Sequence, residues 1–398
     1  MKKTLQKLFK ILGNNTPEVS FAVKFWDGKT EMFGKETPAF TLVLKEKKVV
    51  RNILEKGALG FGEEYMEGNI DVHGDFYKLL RLGMNRYFLD MKLSFTMKFA
   101  LFLRHLRSMN TIKRSYVNIA HHYDIGNNFY QKYLDESMTY SCAYFKSEKD
   151  SLAEAQMQKY EHICRKLRLK EGESLIDIGC GWGGMLIYAA RNYGIKGLGC
   201  TLSVHQAEYA RKKIAAEGLE NRIAIVLEDY RNVKSSFDKF VSIGMFEHVG
   251  KEFIPTFMDK AVSLIKPGGT GLLHTIGKEN NTASDPWTMK YIFPGGYIPV
   301  LDYVIKSMGK KGLVLVDIEN LRLHYAITLE RWAERFEAKA DEIEKIFDNR
   351  FVRMWRMFLC GSSVAFRWGD LRLYQILFTN GIDNGLPMTR EYLYRENN

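Results

Sequence analysis

An apolar segment that ends in an acid and continues into a glycine-rich turn constrains the fold of this chain more than any other feature. Residues 175–184 read Leu-Ile-Asp-Ile-Gly-Cys-Gly-Trp-Gly-Gly. Glycine adopts positive φ without steric cost and lets the backbone approach a ligand closely, and a helix that begins after the turn presents free N–H groups. The pattern therefore predicts a β-strand, a turn that cradles a nucleotide-like ligand, and a helix.

The spacing of this turn discriminates between ligands. The glycines follow the order Gly-x-Gly-x-Gly-Gly, and Asp177 precedes the first of them by two positions. Dinucleotide-binding turns carry Gly-x-Gly-x-x-Gly instead, with their acid about 20 residues further on. The order here favours S-adenosylmethionine (SAM) over NAD. A purely structural turn between strand and helix is the alternative that the glycines alone do not exclude.

The composition is that of a large globular protein with a basic surface. The length of 398 residues predicts two domains, or one domain with an insertion. The formal charge of +11 predicts attraction to polyanions. The five cysteines form no CxxC pair and no metal-ligand spacing, which indicates a reducing cytosol without disulfides or structural zinc. No secretory signal is recognisable, and no uncharged apolar run reaches the ~20 residues of a transmembrane helix. We expect a cytoplasmic protein whose membrane contact is peripheral.

The N-terminal residues 1–92 predict a small α+β domain without a catalytic motif. Residues 21–33 form a predicted hairpin around an Asp-Gly turn, followed by a strand at 39–44 and a helix at 49–56. A linker helix is predicted at 93–115, where an apolar segment is edged with cations. Packing between domains is the favoured interpretation of that segment, and a membrane-surface helix is the alternative.

Residues 116–398 predict a doubly wound α/β domain, because strand and helix patterns alternate along them. A helix at 253–265 is predicted to end at a Lys-Pro-Gly-Gly stop signal, residues 277–311 form an aromatic lid insertion, and 328–347 form an amphipathic helix. The predicted strands are 174–178, 197–200, 223–227, 237–243, 270–276 and 371–378.

Polar residues follow the second and third strands of this sheet, where open α/β sheets bind ligands. The ribose and adenine of SAM are expected to contact them. A helix cap is the structural alternative for Ser203, and a buried ion pair is the alternative for Asp229. The residues concerned are Thr201, Leu202, Ser203, Gln206, Asp229, Tyr230 and Arg231.

Six ordered motifs connect the chain to a known family. They are His-Tyr-Asp-Ile-Gly-Asn, Tyr-Ser-Cys-Ala-Tyr-Phe, Asp-Ile-Gly-Cys-Gly-Trp-Gly-Gly, Gly-Met-Phe-Glu-His-Val-Gly, Leu-Leu-His-Thr-Ile-Gly and Lys-Tyr-Ile-Phe-Pro-Gly-Gly. With them, residues from about 116 to 385 resemble the cyclopropane-fatty-acid synthases, a family that includes the mycolic acid cyclopropane synthases and related lipid methyltransferases. The N-terminal segment resembles the extra domain of the branch that modifies bacterial phospholipids.

The resemblance implies a Rossmann-like SAM-dependent methyltransferase domain that adds a SAM methylene across a cis double bond of a phospholipid acyl chain. It also implies a homodimer that docks on the inner face of the cytoplasmic membrane, and a bound bicarbonate as the base that completes the ring. By motif, the bicarbonate would be held by Cys142, Glu247, His274, the backbone around Ile276, and Tyr325. The SAM site would consist of the strand-end residues named above together with Tyr123, Ser141, Asp177, Gly179, Cys180, Gly181, Gly183 and Gly184.

The chemistry fits these residue types. An alkene is a weak nucleophile, so a dry pocket must press it against the sulfonium and stabilise the resulting carbocation, which aromatic faces do by cation–π attraction. Tyr325 is preferred among the aromatic candidates, which are Tyr123, Tyr144, Phe145, Trp287, Tyr291, Phe293, Tyr325 and Trp332. A carboxylate beside bicarbonate is repulsive unless the bicarbonate O–H donates to Glu247 or His274 is protonated.

Alternatives remain at this stage. Glu247 and His248 could be a capping pair after the fourth strand, and the aromatic candidates could be core residues. Cys360 is interpreted as a small buried hydrophobe and not as a nucleophile. An enzyme that releases a methyl- or methylene-branched lipid is one functional alternative, and a non-catalytic lipid-binding protein is another.

Overall fold

The computed structural model describes residues 2–84, 125–282 and 284–394. The chain divides into two compact units. The first comprises residues 1–108, 283–294 and 329–369, and the second comprises 109–282, 295–328 and 370–398. The domain boundaries drawn from the sequence stay a prediction, and the linker helix at 93–115 and Tyr123 lie outside the described residues.

The first unit contains a four-stranded sheet in the order β2-β1-β3-β4. β1 and β2 form the predicted hairpin, in which Gly28 has φ +79°. The ring of Phe21 in β1 stacks on Phe33 of β2 and on Phe40 of β3, and Phe9 of α1 packs edge-on against Phe21. The N-terminal elements are α1 (Lys2–Asn15), β1 (Phe21–Lys24), β2 (Thr30–Phe33), β3 (Phe40–Leu44), α2 (Lys47–Lys56), α3 (Ala58–Met66), β4 (Ile70–Gly74) and α4 (Phe76–Gly83).

Two later segments of the chain belong to this first unit. Trp287 is buried and donates its indole N–H to Met66 Sδ at 3.2 Å. Arg353 donates to the carbonyl oxygens of Tyr65 and Ile70, at the end of α3 and the start of β4. The helices concerned are α10 (Pro286–Tyr291), α13 (Ala340–Ile346), α14 (Asn349–Trp368) and the end of α12 (Arg322–Glu337).

Replacement of Gly62 by alanine is expected to destabilise this unit by about 1–3 kcal/mol, because overpacking a closed core costs that much. A Cβ at this position would meet Trp287 Cδ1 at 2.4 Å and Met357 Cε at 2.7 Å. Gly83→Ala is the matched control, since its Cβ would meet no atom of the described residues within 4 Å and alanine is favoured in helices. Denaturant titration of both variants measures the difference, and equal midpoints would contradict the prediction.

The second unit is built on a seven-stranded sheet in the order β10-β11-β9-β8-β5-β6-β7. β5, β6, β7, β8 and β9 are parallel, and β11 is antiparallel to both of its neighbours. The elements are α5 (Asn127–Tyr130), α6 (Leu152–Leu167), β5 (Ser174–Ile178), α7 (Gly184–Tyr193), β6 (Lys196–Thr201), α8 (Val204–Ala216), β7 (Ile223–Leu227), β8 (Phe237–Ile243), α9 (Ile254–Leu264), β9 (Ile265–Lys278), α11 (Leu301–Gly309), β10 (Leu313–Asn320) and β11 (Leu371–Asn380).

Helices cover both faces of this sheet, which confirms the doubly wound α/β prediction. Successive residues of a strand point to opposite faces. Leu175 belongs to a core cluster with α6, α7 and α8, whereas Ile176 belongs to a second cluster with α9 and α11. A strand buried on both faces explains the continuous apolar run before the glycine turn.

Two predicted element boundaries were wrong. The helix ends at Leu264, within one residue of the predicted stop, but the next strand begins before residue 270. β9 begins at Ile265, and residues 266–269 bulge between the pairs Ile265↔Phe237 and Thr270↔Lys239. The predicted helix at 328–347 is two helices, α12 and α13, that meet near Lys339. Among the described residues, no helix is long and apolar enough to cross a membrane.

Candidate active site

A pocket in the second unit lies at the carboxyl ends of the parallel strands, where the crossover connections leave space for a ligand. It brings together most of the residues assigned to the cofactor. Gly183 and Ser203 do not line it, and Tyr123 lies outside the described residues. The predicted residues in its lining are Ser141, Asp177, Gly179, Cys180, Gly181, Gly184, Thr201, Leu202, Gln206, Asp229, Tyr230 and Arg231.

The glycine turn forms the floor of the pocket. Gly179 has φ +76°, and a Cβ there would meet Met245 Cγ at 2.5 Å, so both its conformation and its surroundings require glycine. Gly183 has φ +82° and is the N-cap of α7, where an added Cβ would meet Ala210 Cβ of α8 at 3.2 Å. Gly183 therefore shapes the start of the helix without lining the pocket.

The end of β6 is closed by a local hydrogen-bond network. Thr201 Oγ1 donates to Gln206 Oε1 at 2.8 Å, and Thr201 Oγ1 also accepts from the Ser203 amide at 3.2 Å. The Ser203 hydroxyl caps α8 by accepting from the Gln206 amide at 3.4 Å. The cap named as the structural alternative for Ser203 is therefore present, while Thr201 and Gln206 face the pocket.

Asp229, after β7, is held by Arg231. The guanidinium donates from Nε to Oδ1 at 2.8 Å and from a terminal nitrogen to Oδ2 at 2.7 Å, and Asp229 is buried. The buried ion pair that the sequence left as an alternative is present, and both partners also line the pocket. Asp229 thus has a fixed orientation before any ligand binds.

The lining also contains residues that the sequence did not assign to the cofactor, among them Lys159 and His248. Lys159 of α6 is fully buried and donates from Nζ to Ser141 Oγ at 2.8 Å. The sequence contained a signal for this residue, because Gln156 and Lys159 are polar residues three positions apart on the buried face of an amphipathic helix. His248 also lines the pocket; burial lowers its pKa to about 4, so its imidazole is neutral at pH 7.

Lys159 and Asp177 form an electrostatic pair beneath the ligand site. Burial raises the pKa of Asp177 to about 7, and the nearby Lys159 partly opposes that shift. Burial lowers the pKa of Lys159 to about 7, and Asp135 and Asp177 oppose that change. Asp177 Oδ1 has no hydrogen-bond partner among the described residues. A cationic ligand would find an acceptor there.

A second cluster begins where β8 ends. The Gly244 amide donates to the His274 carbonyl at 2.9 Å as the last ladder bond. Two residues further along β9, the Ile276 amide donates to Glu247 Oε1 at 2.5 Å. The Glu247 carboxylate thus takes the place of the backbone carbonyl that would accept the next hydrogen bond of the ladder. The Ile276 amide, which the resemblance assigned to bicarbonate, is occupied by Glu247 and fixes that side chain.

This cluster contains two buried polar atoms of complementary character. Within the described parts of the chain, neither Glu247 Oε2 nor His274 Nε2 has a hydrogen-bond partner. Burial raises the pKa of Glu247, partly offset by the Ile276 amide. Burial, reinforced by Lys159, lowers the pKa of His274 well below its usual value, so the imidazole is neutral. An orphaned buried polar atom costs about 1–3 kcal/mol, which a small polar ligand could recover.

Cys142 and Tyr325 are connected through Thr328. Cys142 is fully buried and its thiol donates to the Ala143 carbonyl at 3.2 Å; burial raises the pKa of the thiol, which keeps it protonated. The Ala143 amide donates to Thr328 Oγ1 at 3.0 Å. Tyr325 lies three residues earlier on α12 and is half-buried. These contacts attach the Cys142 segment to the helix that carries Tyr325.

One aromatic candidate has a different environment from the pocket. The ring of Tyr144 stacks between the imidazoles of His162 and His324, with centroid distances of 4.2 Å and 4.8 Å. His324 Nδ1 in turn accepts from the Phe145 amide at 3.0 Å. Tyr144 is therefore a packing residue in this structure.

Comparisons with known families bear on both units. The mycolic acid cyclopropane synthetase family matches residues 110–376. A family described as a domain of unknown function matches residues 5–89.

Two curated proteins are similar over most of the chain. Cyclopropane-fatty-acyl-phospholipid synthase of Escherichia coli K12 is 39% identical over 353 residues, which cover 87% of this chain and 90% of that protein. A probable fatty acid methyltransferase of Pseudomonas putida is 35% identical over 389 residues, covering 94% of this chain and 96% of that protein.

A solved structure is similar over the catalytic region. Mycolic acid cyclopropane synthase CmaA1, complexed with SAH and CTAB, superposes with a TM-score of 0.63 at 30% identity. The match covers 66% of this chain and 98% of that one.

Proposed function

Since this chain belongs to the mycolic acid cyclopropane synthetase family, we propose that it adds a methylene group from SAM to the cis double bond of unsaturated phospholipid acyl chains and closes a cyclopropane ring. The observation that carries the proposal is the pair of buried atoms, Glu247 Oε2 and His274 Nε2, that have no partner in the described structure. Their cluster lies at the same edge of the sheet as the cofactor pocket.

The lining of the pocket suits SAM. Gly179 and Gly181 permit close approach of the ligand to the turn, while Thr201, Gln206 and the fixed Asp229 offer polar partners at the ends of β6 and β7. Asp177 Oδ1 is a buried acceptor for a cationic group. When bound, SAM supplies the electrophilic sulfonium methyl. The residues of the chain orient it and exclude water, which strengthens each electrostatic contact.

The Glu247 cluster suits bicarbonate, which has one O–H donor and several acceptor oxygens. Glu247 Oε2 is positioned to accept from the O–H, and a protonated Nε2 of His274 would donate to an oxygen. When bound, bicarbonate supplies a base for a proton of the added methyl. The Ile276 amide holds Glu247 in place, and the buried Cys142 and half-buried Tyr325 complete the proposed set. Acceptance of the O–H by Glu247 also resolves the repulsion expected between two anions.

A second candidate is a SAM-dependent enzyme that forms a methyl- or methylene-branched fatty acid. The Pseudomonas putida relative, a probable fatty acid methyltransferase, covers more of this chain than the Escherichia coli synthase does. Both outcomes begin from the same carbocation. Loss of a different proton would give the methylene-branched chain, and a saturated methyl-branched chain would require a hydride from an added reductant. The residues that bind SAM would serve either reaction, so product chemistry is the discriminating observation.

We expect cyclopropane lipids when the protein is incubated with SAM and vesicles of cis-monounsaturated phosphatidylglycerol. Mass spectrometry and proton NMR of the extracted lipid measure a gain of one CH₂ and the ring protons. Removal of bicarbonate should abolish turnover, and its return should restore it. Terminal methylene protons without ring protons would support the second candidate. If calorimetry detects no SAM binding and the protein still binds vesicles, the result would instead support a non-catalytic lipid-binding protein.

We also propose that the protein acts as a homodimer on the cytoplasmic face of the membrane. The net charge of +11 supports the membrane contact, because each cation near an anionic surface contributes about 1 kcal/mol of attraction. The dimer is proposed from the family resemblance alone. Cosedimentation with vesicles that contain or lack anionic lipid measures the membrane contact. Light scattering of the purified protein measures the oligomeric state, and a monomer would contradict the dimer.

A further inference from the structure

We propose that Gln375 is a positioning residue that holds His274 in the tautomer whose proton lies on Nε2. The inference rests on the proposed function, in which Nε2 of His274 donates to bicarbonate. Nothing in the six motifs pointed to Gln375, which lies on the last strand of the sheet, 101 residues after His274 in the chain.

The contact follows from strand pairing. β9 and β11 are antiparallel, and His274 and Gln375 are directly opposite each other in the register. Opposite residues project their side chains from the same face of the sheet and lie within contact distance. The Gln375 side-chain nitrogen lies 3.2 Å from His274 Nδ1, and both residues are buried, with exposed fractions of 0% and 1%.

The chemistry of this contact determines the tautomer. Burial keeps His274 neutral, so the ring carries a single proton that resides on either Nδ1 or Nε2. When the amide N–H of Gln375 donates to Nδ1, that nitrogen must be the acceptor, and the proton is on Nε2. Nε2 then becomes a buried donor with no partner among the described residues, which an anion can satisfy. With the opposite tautomer, Nε2 would present a lone pair and repel the anion.

The cations around the imidazole favour the same outcome. Lys159 and Lys166 both act to lower the pKa of His274, and Glu319 acts in the opposite direction. Lys166 is held by Glu319 Oε2 at 2.5 Å, and His162 shares that oxygen at 2.7 Å. The surroundings therefore disfavour an imidazolium. A charged ring would carry a proton on Nε2 whatever Gln375 does, whereas a neutral ring would not. This makes the Gln375 amide the group that selects the donor nitrogen.

The test is ¹⁵N NMR of histidine-labelled protein in the absence of bicarbonate, with His274→Asn used to assign the His274 signals. We expect a pyridine-type Nδ1 and a pyrrole-type Nε2 in the wild type. Gln375→Met, which retains the side-chain length, should lose this single tautomer. The same variant should raise the KM for bicarbonate about tenfold, the loss of roughly one hydrogen bond, with the KM for SAM unchanged.

Thr379→Val is the matched control, because Thr379 is a fully buried polar residue on the same face of β11 whose hydroxyl bonds to Gly381. It should leave the tautomer and the bicarbonate KM unchanged. A wild-type spectrum with the proton on Nδ1, or an unaltered tautomer in Gln375→Met, would overturn the inference. If Gln375→Met does not fold, the wild-type spectrum alone decides. Turnover that is insensitive to bicarbonate would refute the proposed base while leaving the tautomer result valid.

Discussion

Replacement of Glu247 by glutamine is expected to reduce cyclopropane formation by about 10²–10⁴-fold, the usual contribution of a positioned acid–base group. The amide retains an oxygen that can accept from the Ile276 amide, but Oε2 becomes an NH₂ donor where the proposed O–H needs an acceptor. SAM affinity should be unchanged, because Glu247 does not line the cofactor pocket. Product quantification by mass spectrometry and SAM titration by calorimetry measure the two quantities.

Glu252→Gln is the control for this variant, since it makes the same chemical change at an exposed glutamate five residues later. It should retain wild-type turnover. Restored activity of Glu247→Gln at high bicarbonate would indicate weakened anion binding. Full activity of Glu247→Gln at ordinary bicarbonate would contradict the role proposed for Glu247 and with it the anion site.

Replacement of Gly179 by alanine is expected to weaken SAM binding by about 10- to 100-fold. A Cβ would lie 2.5 Å from Met245 Cγ, so the turn or Met245, both in the pocket lining, must move. Overpacking of this kind costs about 1–3 kcal/mol, which corresponds to roughly that loss if it falls on the binding-competent turn. Calorimetry with SAM measures the dissociation constant.

Gly268→Ala separates this effect from backbone strain. Gly268 has φ +74°, close to the +76° of Gly179, but within the described part of the chain no atom lies within 4 Å of where its Cβ would be. Both variants should lose stability from the left-handed backbone, and Gly179→Ala alone should lose SAM affinity. Equal SAM affinities for the two variants would mean that the close approach at Gly179 is not required for binding.

Local patterns predicted much of the fold and many pocket residues. The alternation of apolar residues in the strands, the Asp-Gly hairpin and the glycine turn all involve neighbours within a few positions, and these elements lie where the sequence indicated. The signal at 266–269 predicted the end of α9 within one residue but not the start of β9. Residues 266–269 have the composition of a turn. Because Ile265 pairs with Phe237, they are part of the start of β9, where they form a bulge. Long-range pairing overrode a local preference there.

By itself, the sequence determined the doubly wound sheet, the turn at Gly179 and the strand ends that form the pocket, because periodicity and glycine conformation are local properties. The tertiary structure alone decided the partners that polar atoms have far away in the chain. The Ile276 amide donates to Glu247, Lys159 donates to Ser141, and Gln375 contacts His274. These contacts depend on strand order and register, which join residues far apart in the chain, and burial then makes each unpaired or paired polar atom energetically important.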